Sequence, residues 1–84
     1  MAEKLKQDVS IGHNLKLLRK NAGLSQEEAA AKLELMGISI SREIISQMEL
    51  GRYSIRISAL TALKQIYNVS SYDDFFRDLR FKED

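Results

Sequence analysis

Apolar residues recur along this chain at intervals of three and four, and no proline interrupts them. That interval places successive apolar side chains on one face of an α-helix, whereas a half-buried strand needs strict alternation. Only four glycines stand among the 84 residues. The pattern therefore predicts an all-α domain with short connections, and no segment shows a competing strand pattern.

The apolar spacing predicts five helices in one compact domain over residues 8–81, between a flexible N-terminus at 1–7 and a frayed C-terminus at 82–84. The helices are expected at residues 8–22, 25–36, 41–50 and 57–68, and from residue 71 onward. A domain this short has to draw its core from every helix. The expected core positions are Ile11, Leu15, Leu18, Ala22, Ala29, Ala30, Leu33, Ile45, Met48, Leu60, Leu63, Ile66 and Tyr67. Tyr72, Phe75, Phe76 and Leu79 form an apolar stripe on the fifth helix.

The clearest local signal is a capping box at the start of the second helix. Ser25 is followed three residues later by Glu28, the spacing at which each side chain accepts a hydrogen bond from the other residue's backbone N–H. Ala29 and Ala30 come next, and such small residues allow another helix to approach closely. We therefore expect a tight helix crossing at this point.

Capping residues and glycines mark the other helix boundaries. The residues expected to cap helix starts are Asp8 or Ser10, Ser25, Ser41 and Ser71. The residues expected to end helices are Gly23, Gly37 and Gly51. Residues 38–40 then form a short connection between the second helix and the third.

Composition argues against several functional classes. The chain has no cysteine, so it lacks a disulfide framework and a thiolate metal site, which favours a cytoplasmic protein. Its single histidine, His13, has no second imidazole to complete a metal site. No run of eighteen uncharged apolar residues and no glycine-rich phosphate loop occurs. We expect no membrane span, no cofactor and no enzymatic activity.

The net charge of +1 argues only weakly for a polyanionic partner. Its distribution is more informative, because residues 1–68 hold ten Lys or Arg against seven Asp or Glu, while residues 69–84 hold three against five. A basic body with an acidic end fits a nucleic-acid surface on one side of a domain, although ordinary proteins show similar asymmetry.

Two segments carry a family resemblance. LRKNAGLSQEEAA at residues 18–30 and ISQMELG at 45–51 resemble the Cro and phage-repressor helix-turn-helix family, the xenobiotic-response-element family of bacterial and phage regulators. The resemblance reaches about Phe76 and implies a lambda-repressor-like fold. In the commonest form of that family a glycine follows the position of Leu33, whereas here residues 34–39 lengthen the connection. This departure is similar to a subgroup with a longer second helix or turn.

The third helix is expected to read DNA bases, because helices in this docking mode insert their N-terminal side chains into the major groove. The base-reading candidates are Arg42, Glu43, Ile44, Ser46 and Gln47. From spacing alone, the same residues also fit a solvated surface helix. The resemblance implies phosphate contacts at the start of the second helix and after the third. The phosphate candidates are Gln26, Ser41, Arg52, Tyr53 and Ser54, with Asn14, Lys16 and Arg56 weaker.

An ion pair and a group of phenylalanines are expected to have structural roles. The resemblance implies a partly buried ion pair between Arg19 and Glu49, joining the first helix to the end of the third. Phe75, Phe76 and Phe81 near the C-terminus are expected mainly in the core, but adjacent phenylalanines on a terminal helix also suggest a dimer contact.

These observations predict a sequence-specific regulator of double-stranded DNA, a repressor that binds a two-fold operator as a homodimer. The alternative is an antitoxin or adaptor in which the same fold binds another protein through Phe75, Phe76 and Phe81. The two functions are compatible, because antitoxins often repress their own operon through such a domain.

Overall fold

Four α-helices make up most of the chain in the computed structural model, which describes residues 4–5 and 9–79. The helices are α1 at Gly12–Asn21, α2 at Gln26–Leu35, α3 at Arg42–Glu49 and α4 at Ile57–Ile66. A 3₁₀ helix follows at Tyr72–Phe76, and two short strands, β1 at Lys4–Leu5 and β2 at Ile55–Arg56, complete the elements. The helical prediction is thus confirmed for four of the five segments.

Serine side chains start three of the helical elements. In the capping box of α2, Ser25 Oγ accepts from Glu28 N at 3.0 Å, and Glu28 Oε1 accepts from Ser25 N at 2.9 Å. Ser41 Oγ accepts from Ile44 N at 3.2 Å at the start of α3. Ser71 Oγ does the same for Asp73 N. These caps were predicted from local sequence alone.

The first helix begins slightly later than expected. It starts at Gly12, and Ser10 Oγ accepts from Gly12 N at 3.0 Å without being the N-cap residue, which is Ile11. Asp8, the other predicted cap, lies outside the described residues. The predicted ends of α1, α2 and α3 are confirmed, because each precedes a glycine with positive φ: Gly23, Gly37 and Gly51.

The core draws on every helix, as the chain length requires. Side chains from the four α-helices, β2, the 3₁₀ helix and the connections between them meet in one buried cluster: Ile11, Leu15, Ala29, Leu33, Ile45, Met48, Ile55, Leu60, Ala62, Leu63, Tyr67, Val69 and Phe75. Ala29 is fully buried, which agrees with the close helix crossing predicted for this position. Leu18, Ala22, Ala30 and Ile66 pack on the edge of the cluster.

The start of α1 lies directly against the end of α3. A Cβ added to Gly12 would lie 2.7 Å from the carbonyl carbon of Glu49 and 2.8 Å from the carbonyl oxygen of Met48. Both neighbours are backbone atoms that no rotamer change can move away. A glycine is therefore required at position 12 by this contact, which fixes α1 relative to α3.

The fold is mostly helical, as the all-α prediction requires, but it also contains one short two-stranded ladder that the sequence did not indicate. β1 pairs with β2 in an antiparallel ladder, with Lys4 opposite Arg56 and Leu5 opposite Ile55. Strands of two residues are too short to show the alternation that identifies a strand in a sequence. Ile55 is buried in the core, and this burial holds β2 in place as a partner. β1 lies within residues 1–7, for which we predicted a flexible segment.

The prediction of a fifth α-helix is also wrong. The segment after Ser71 is a 3₁₀ helix that ends at Phe76, and Arg77 continues in an extended conformation. Asn14 Nδ2 donates to the carbonyl oxygens of Phe75 at 2.9 Å and Arg77 at 2.8 Å. In a continuing α-helix those carbonyls would instead accept from residues four positions later. Asn14 therefore holds this segment in a short turn, and Leu79 lies beyond the helix.

Candidate nucleic-acid interface

The outer face of α3 carries most of the predicted base-reading residues. Arg42, Glu43 and Gln47 are exposed, and Ser46 is half-buried. The inward residues of the same helix, Ile45 and Met48, are almost fully buried. Helical spacing separates the two groups, so the polar side chains project together from one surface.

Ile44 differs from the other base-reading candidates. It is half-buried and packs against the hydrophobic core. It also lines a small cleft between the turn before α3 and the chain after it: Ser39, Ile40, Ile44, Met48, Tyr53, Ser54 and Arg56. Much of the Ile44 side chain is therefore committed to packing, and its contact with a base stays a prediction.

Residues 36–41 connect α2 to α3. Of the residues 34–39 that lengthen the connection in the sequence, the first two belong to the last turn of α2 and the other four to this segment. Gly37 adopts a positive φ of 82°, and Ile38 and Ile40 turn back to pack against the core. The connection is thus anchored by apolar contacts. It presents Ser41 and the first turn of α3 at the surface.

The predicted phosphate contacts fall into two groups. Arg52 and Tyr53 are exposed and Ser54 is half-buried in the segment after α3, where a polyanion has access to them. Ser41 is exposed, but its hydroxyl oxygen already accepts the capping hydrogen bond from Ile44 N. Gln26 is half-buried at the start of α2. Its Nε2 donates to Glu49 Oε1 at 3.0 Å, which leaves its second amide hydrogen for a phosphate.

Of the three weaker phosphate candidates, two are accessible and one is occupied. Lys16 and Arg56 are exposed. Asn14 instead uses its amide to bind two carbonyl oxygens of the C-terminal segment. Because both amide hydrogens are engaged there, a phosphate role for Asn14 is wrong, and the residue is structural.

A buried polar cluster holds the C-terminal end of α3. Arg19 Nε and Glu49 Oε2 are 2.7 Å apart, and the second carboxylate oxygen of Glu49 accepts from the Arg19 guanidinium at 3.1 Å. Arg19 also donates to Leu24 O at 2.8 Å. The two charged side chains are only 9% and 5% exposed. The ion pair that the resemblance implies is present, and Gln26 extends it to α2.

The cluster also shifts the protonation of its members. The hydrogen bond that Arg19 donates to the carboxylate of Glu49 raises the pKa of Arg19 above its ordinary value, so this guanidinium stays charged. Tyr67 is nearly fully buried, and burial followed by the negative charge of Glu49 raises the pKa of its hydroxyl well above the usual value. Tyr67 is therefore neutral in the folded protein across the ordinary pH range.

Sequence reasoning missed the role of Gly12 in this arrangement, and it missed a second role of Gln26. Gly12 makes the close contact with α3, and Gln26 binds Glu49. A glycine at a helix start without a turn is a signal of close approach by another backbone, so Gly12 had a sequence indication. The bond from Gln26 had none, because its partner lies 23 residues away.

The three phenylalanines predicted as dimer contacts have different environments. Phe75 is fully buried within the protomer, so a dimer contact through this residue is wrong and it belongs to the core. Phe76 is 43% exposed, with Tyr72 and Leu79 similarly exposed nearby in the chain. Phe81 lies outside the described residues.

Ionic contacts around α3 are sparse. Arg42 lies 3.5 Å from Glu43 in an exposed pair, a type of contact that contributes about 0 to 1 kcal/mol. Within the described chain, Arg52 and Arg56 make no ion pair. Three exposed arginines thus lie on or directly after α3 without a strong intramolecular counter-charge.

Residues 4–5 and 9–79 contain neither a grouped set of metal ligands nor a membrane-spanning helix. No group of three or more His, Cys, Asp or Glu side chains there is arranged to hold a metal ion. None of the helices in that part of the chain has the length and apolar character needed to cross a membrane.

Comparison with known proteins gave one match. A family model described as a helix-turn-helix domain matches residues 10–74, which includes all four α-helices and the connection between α2 and α3. No curated protein and no solved structure gave a significant match.

Proposed function

Because the chain belongs to the helix-turn-helix domain family, we propose that it is a sequence-specific regulator of double-stranded DNA, a repressor that inserts α3 into the major groove. The resemblance to Cro and phage repressors is confirmed at the level of this family, while the subgroup with a longer second helix stays a prediction. The observation that carries the proposal is the exposed polar face at the start of α3, beside a buried face of Ile45 and Met48.

The chemistry of that face suits base edges. An arginine such as Arg42 donates to the two acceptors of guanine, a glutamine such as Gln47 bonds adenine, and Glu43 accepts from the amino group of cytosine. Each such pairing discriminates against a wrong base by about 1 to 3 kcal/mol. Reading of DNA sequence is therefore assigned to the first two turns of α3.

The opposite end of α3 supports the same proposal. Glu49 is held by Arg19 and Gln26, which lie on α1 and α2. Phosphate contacts from the start of α2 and from residues 52–54 would orient the domain on the duplex, because such contacts fix register without reading sequence. Through the bond from Gln26 to Glu49, the phosphate anchor and the reading helix form one rigid unit.

A homodimer is part of the proposal. Phe76 is 43% exposed and Leu79 37% exposed next to the buried Phe75, and a second copy would cover them. A two-fold dimer binds half-sites about 34 Å apart along the duplex, which increases affinity over a single module. A titration showing full operator affinity for one protomer on an isolated half-site would contradict the dimer.

The test is selection of bound sequences from a random duplex pool, repeated with Gln47→Ala, Gln26→Ala and, as a control, Gln65→Ala at an exposed position on α4. We expect the wild type to enrich a palindromic motif. Gln47→Ala should relax one position of the motif, Gln26→Ala should weaken binding to all sequences, and Gln65→Ala should change neither. Absence of enrichment at low salt would overturn the proposal.

The second candidate function is a protein-interaction module of the antitoxin or adaptor type. The side chains of Tyr72, Phe76 and Leu79 favour it, because they are large, apolar and exposed, and they lie far from α3 in the sequence. Copurification of a stoichiometric protein partner, without salt-dependent DNA binding, would support this function over the first. If Phe76→Ala no longer copurifies with that partner, Phe76 belongs to the protein-binding surface.

A further inference from the structure

Leu17 is a large apolar residue on the outer side of α1. Residues two positions apart lie about 200° apart around an α-helix, so Leu17 is on the side of α1 opposite to Leu15 and Arg19, which are buried. Leu17 is 45% exposed, and it lines one groove together with Asp74 and Arg77. The outer side of α1 and the segment after α4 therefore meet at Leu17.

The C-terminal segment, residues 72–79, lies on one side of Leu17, and two lysines lie on the other side. Asn14 holds the segment by donating to two of its backbone carbonyl oxygens, and Asn14 is about 60° from Leu17 around α1. Lys20 is about 60° from Leu17 in the opposite direction, and Lys16 is about 100° away in that direction. Leu17 thus separates the lysines from the C-terminal segment.

The two sides of Leu17 carry opposite charge. Lys16 and Lys20, which we call the basic edge, are both exposed. Among the described residues, neither of them makes an ion pair. The C-terminal segment contains three aspartates and one arginine, which gives it a formal charge of −2. Opposite charges therefore lie on one surface without pairing within the protomer.

The aspartates of the C-terminal segment lie close together. The hydrogen bond to Asp74, and then the negative charges of the three aspartates, raise the pKa of Arg77 above its ordinary value, so all three carboxylates are near one guanidinium. Asp74 forms an exposed ion pair with Arg77. Asp73 and Asp78 are exposed, and they are the two carboxylates left for a cationic partner.

We propose that two copies of this chain associate through this surface about a two-fold axis that runs along α1, so that the basic edge of each copy contacts the C-terminal segment of the other. This inference rests on the homodimer in the proposed function and identifies its interface. In a two-fold contact, residue i meets residue j and residue j meets residue i. An axis along α1 exchanges the two sides of Leu17 and thereby places lysines opposite aspartates twice.

Charge selects this orientation of the two copies. An axis perpendicular to α1 would place the basic edge of one copy on the basic edge of the other, and like charges across an interface are unfavourable. Leu17 lies at the centre of the chosen arrangement. The exposed Phe76 and Leu79 of the C-terminal segment add apolar area that the second copy covers.

The interface leaves the reading end of α3 accessible. α1 contacts the C-terminal end of α3 through Gly12 and Arg19. Both residues lie on the side of α1 away from Leu17. α3 is therefore on the other side of α1 from the second copy, and its N-terminal side chains stay available for DNA in the dimer.

The experiment reverses the charge of each half of the interface and measures self-association of the full chain by sedimentation equilibrium at low salt without DNA. One variant combines Lys16→Glu with Lys20→Glu on the basic edge. A second variant combines Asp73→Lys with Asp78→Asn on the C-terminal segment. Asparagine is chosen at position 78 because it tolerates the positive φ of 56° found there. Lys32→Glu, at an exposed position on α2, is the control.

We expect the wild type to dimerise, and we expect each charge-reversed variant alone to have a dimer Kd at least about tenfold higher, because each change brings like charges together at two symmetric places. An equimolar mixture of the two variants should recover the wild-type Kd. In that heterodimer the two reversed halves meet each other, and so do the two unchanged halves. Recovery on mixing also shows that both variants fold. Lys32→Glu should associate like the wild type.

Three results would overturn the interface. They are a wild type that stays monomeric at every concentration, a charge-reversed variant with the wild-type Kd, and a mixture that associates no better than its components. Leu17→Ala gives a second measurement that does not depend on charge. It should weaken self-association and leave the melting temperature of the monomer unchanged, because Leu17 is not part of the core cluster. A Leu17→Ala protein with the wild-type dimer Kd would also count against the interface.

Failure of the interface and failure of DNA reading give different results. If the wild type enriches a palindromic motif but the charge reversals leave its association unchanged, only the interface is wrong. If mixing the two variants restores the dimer but no duplex is enriched at low salt, the interface stands and the DNA-reading function is wrong.

Discussion

The two ends of α3 are built in opposite ways. At its C-terminal end, Glu49 is 5% exposed and receives hydrogen bonds from Arg19 and Gln26. At its N-terminal end, Arg42 and Glu43 are exposed and share only a long surface contact. One helix of eight residues is thus fixed in orientation at one end, while its other end keeps side chains available for a ligand.

The starts of α2 and α3 extend this comparison. Both are capped by a serine in nearly the same backbone conformation. In α2 the residue three positions later is Glu28, whose carboxylate returns to the backbone of Ser25. In α3 the corresponding residue is Ile44, which packs inward. In the first turn of α2 the polar side chains of Ser25 and Glu28 are therefore bonded to the helix backbone. In the first turn of α3, Arg42 and Glu43 remain at the surface.

The largest expected effect comes from breaking the fixed end of α3. Arg19→Ala leaves the carboxylate of Glu49 buried without its cation, which should lower the free energy of unfolding by about 3 to 5 kcal/mol. Thermal and denaturant unfolding measure this loss. Arg42→Ala is the matched control at the other end, and it should change stability by no more than about 0.5 kcal/mol. Equal losses of stability in Arg19→Ala and Arg42→Ala would contradict the difference between the two ends of α3.

A smaller loss is expected where α1 touches the fixed end. Gly12→Ala places a methyl group against the Met48 and Glu49 carbonyls, and overpacking of this kind costs about 1 to 3 kcal/mol. His13→Ala, at the exposed neighbouring position, is the control. Denaturant midpoints measure both variants, and a Gly12→Ala protein as stable as the control would show that α1 is free to move away from α3.

Replacing each serine cap by alanine measures how much the start of α2 and the start of α3 contribute to stability. Ser25→Ala and Ser41→Ala should each cost about 1 kcal/mol. The larger loss is expected at Ser25, because losing the bond that Glu28 N donates to Ser25 Oγ also loosens the reciprocal bond that the backbone N–H of residue 25 donates to the Glu28 carboxylate. Urea unfolding of both variants gives the difference. A larger loss at Ser41 would mean that the start of α3 contributes more to stability than its single capping bond indicates.

Tyr67 is expected to make the stability of the fold depend on pH only in alkali. Burial raises the pKa of its hydroxyl in the folded protein. The contribution of the neutral hydroxyl to the free energy of unfolding is therefore fully present below the ordinary tyrosine pKa of 10.0, and it is lost as the pH rises above that value. Tyr67→Phe should flatten the decline of stability above pH 10. Tyr72→Phe, at an exposed position, should keep the wild-type decline. Identical alkaline profiles for all three proteins would contradict burial of Tyr67 beside Glu49.

Local patterns predicted the helices well. The capping box at Ser25 and Glu28 requires only four consecutive residues, and the inward positions Ile45 and Met48 follow from helical spacing. The same patterns indicated which side of α3 is polar. These features depend on residues within one or two helical turns, so a single sequence contains the information for them.

Features that depend on distant partners were missed or misjudged. The pairing of Lys4 with Arg56 joins residues about fifty positions apart, and two-residue strands have no periodic pattern. The 3₁₀ helix depends on Asn14, 61 residues before Phe75. The site prediction for Asn14 failed for the same reason, because nothing near it in sequence indicated that its amide is already bound.

The bonds from Asn14 also bear on how the domain is synthesised. The amide of Asn14 can donate these two hydrogen bonds only after residues 75 and 77 have been made. Phe75 fills its place in the core only then. A nascent chain from which residue 75 is still missing therefore lacks a central side chain of the core. Completion of the fold is coupled to translation of the segment after α4, and arrest before it should leave the nascent domain open to proteases.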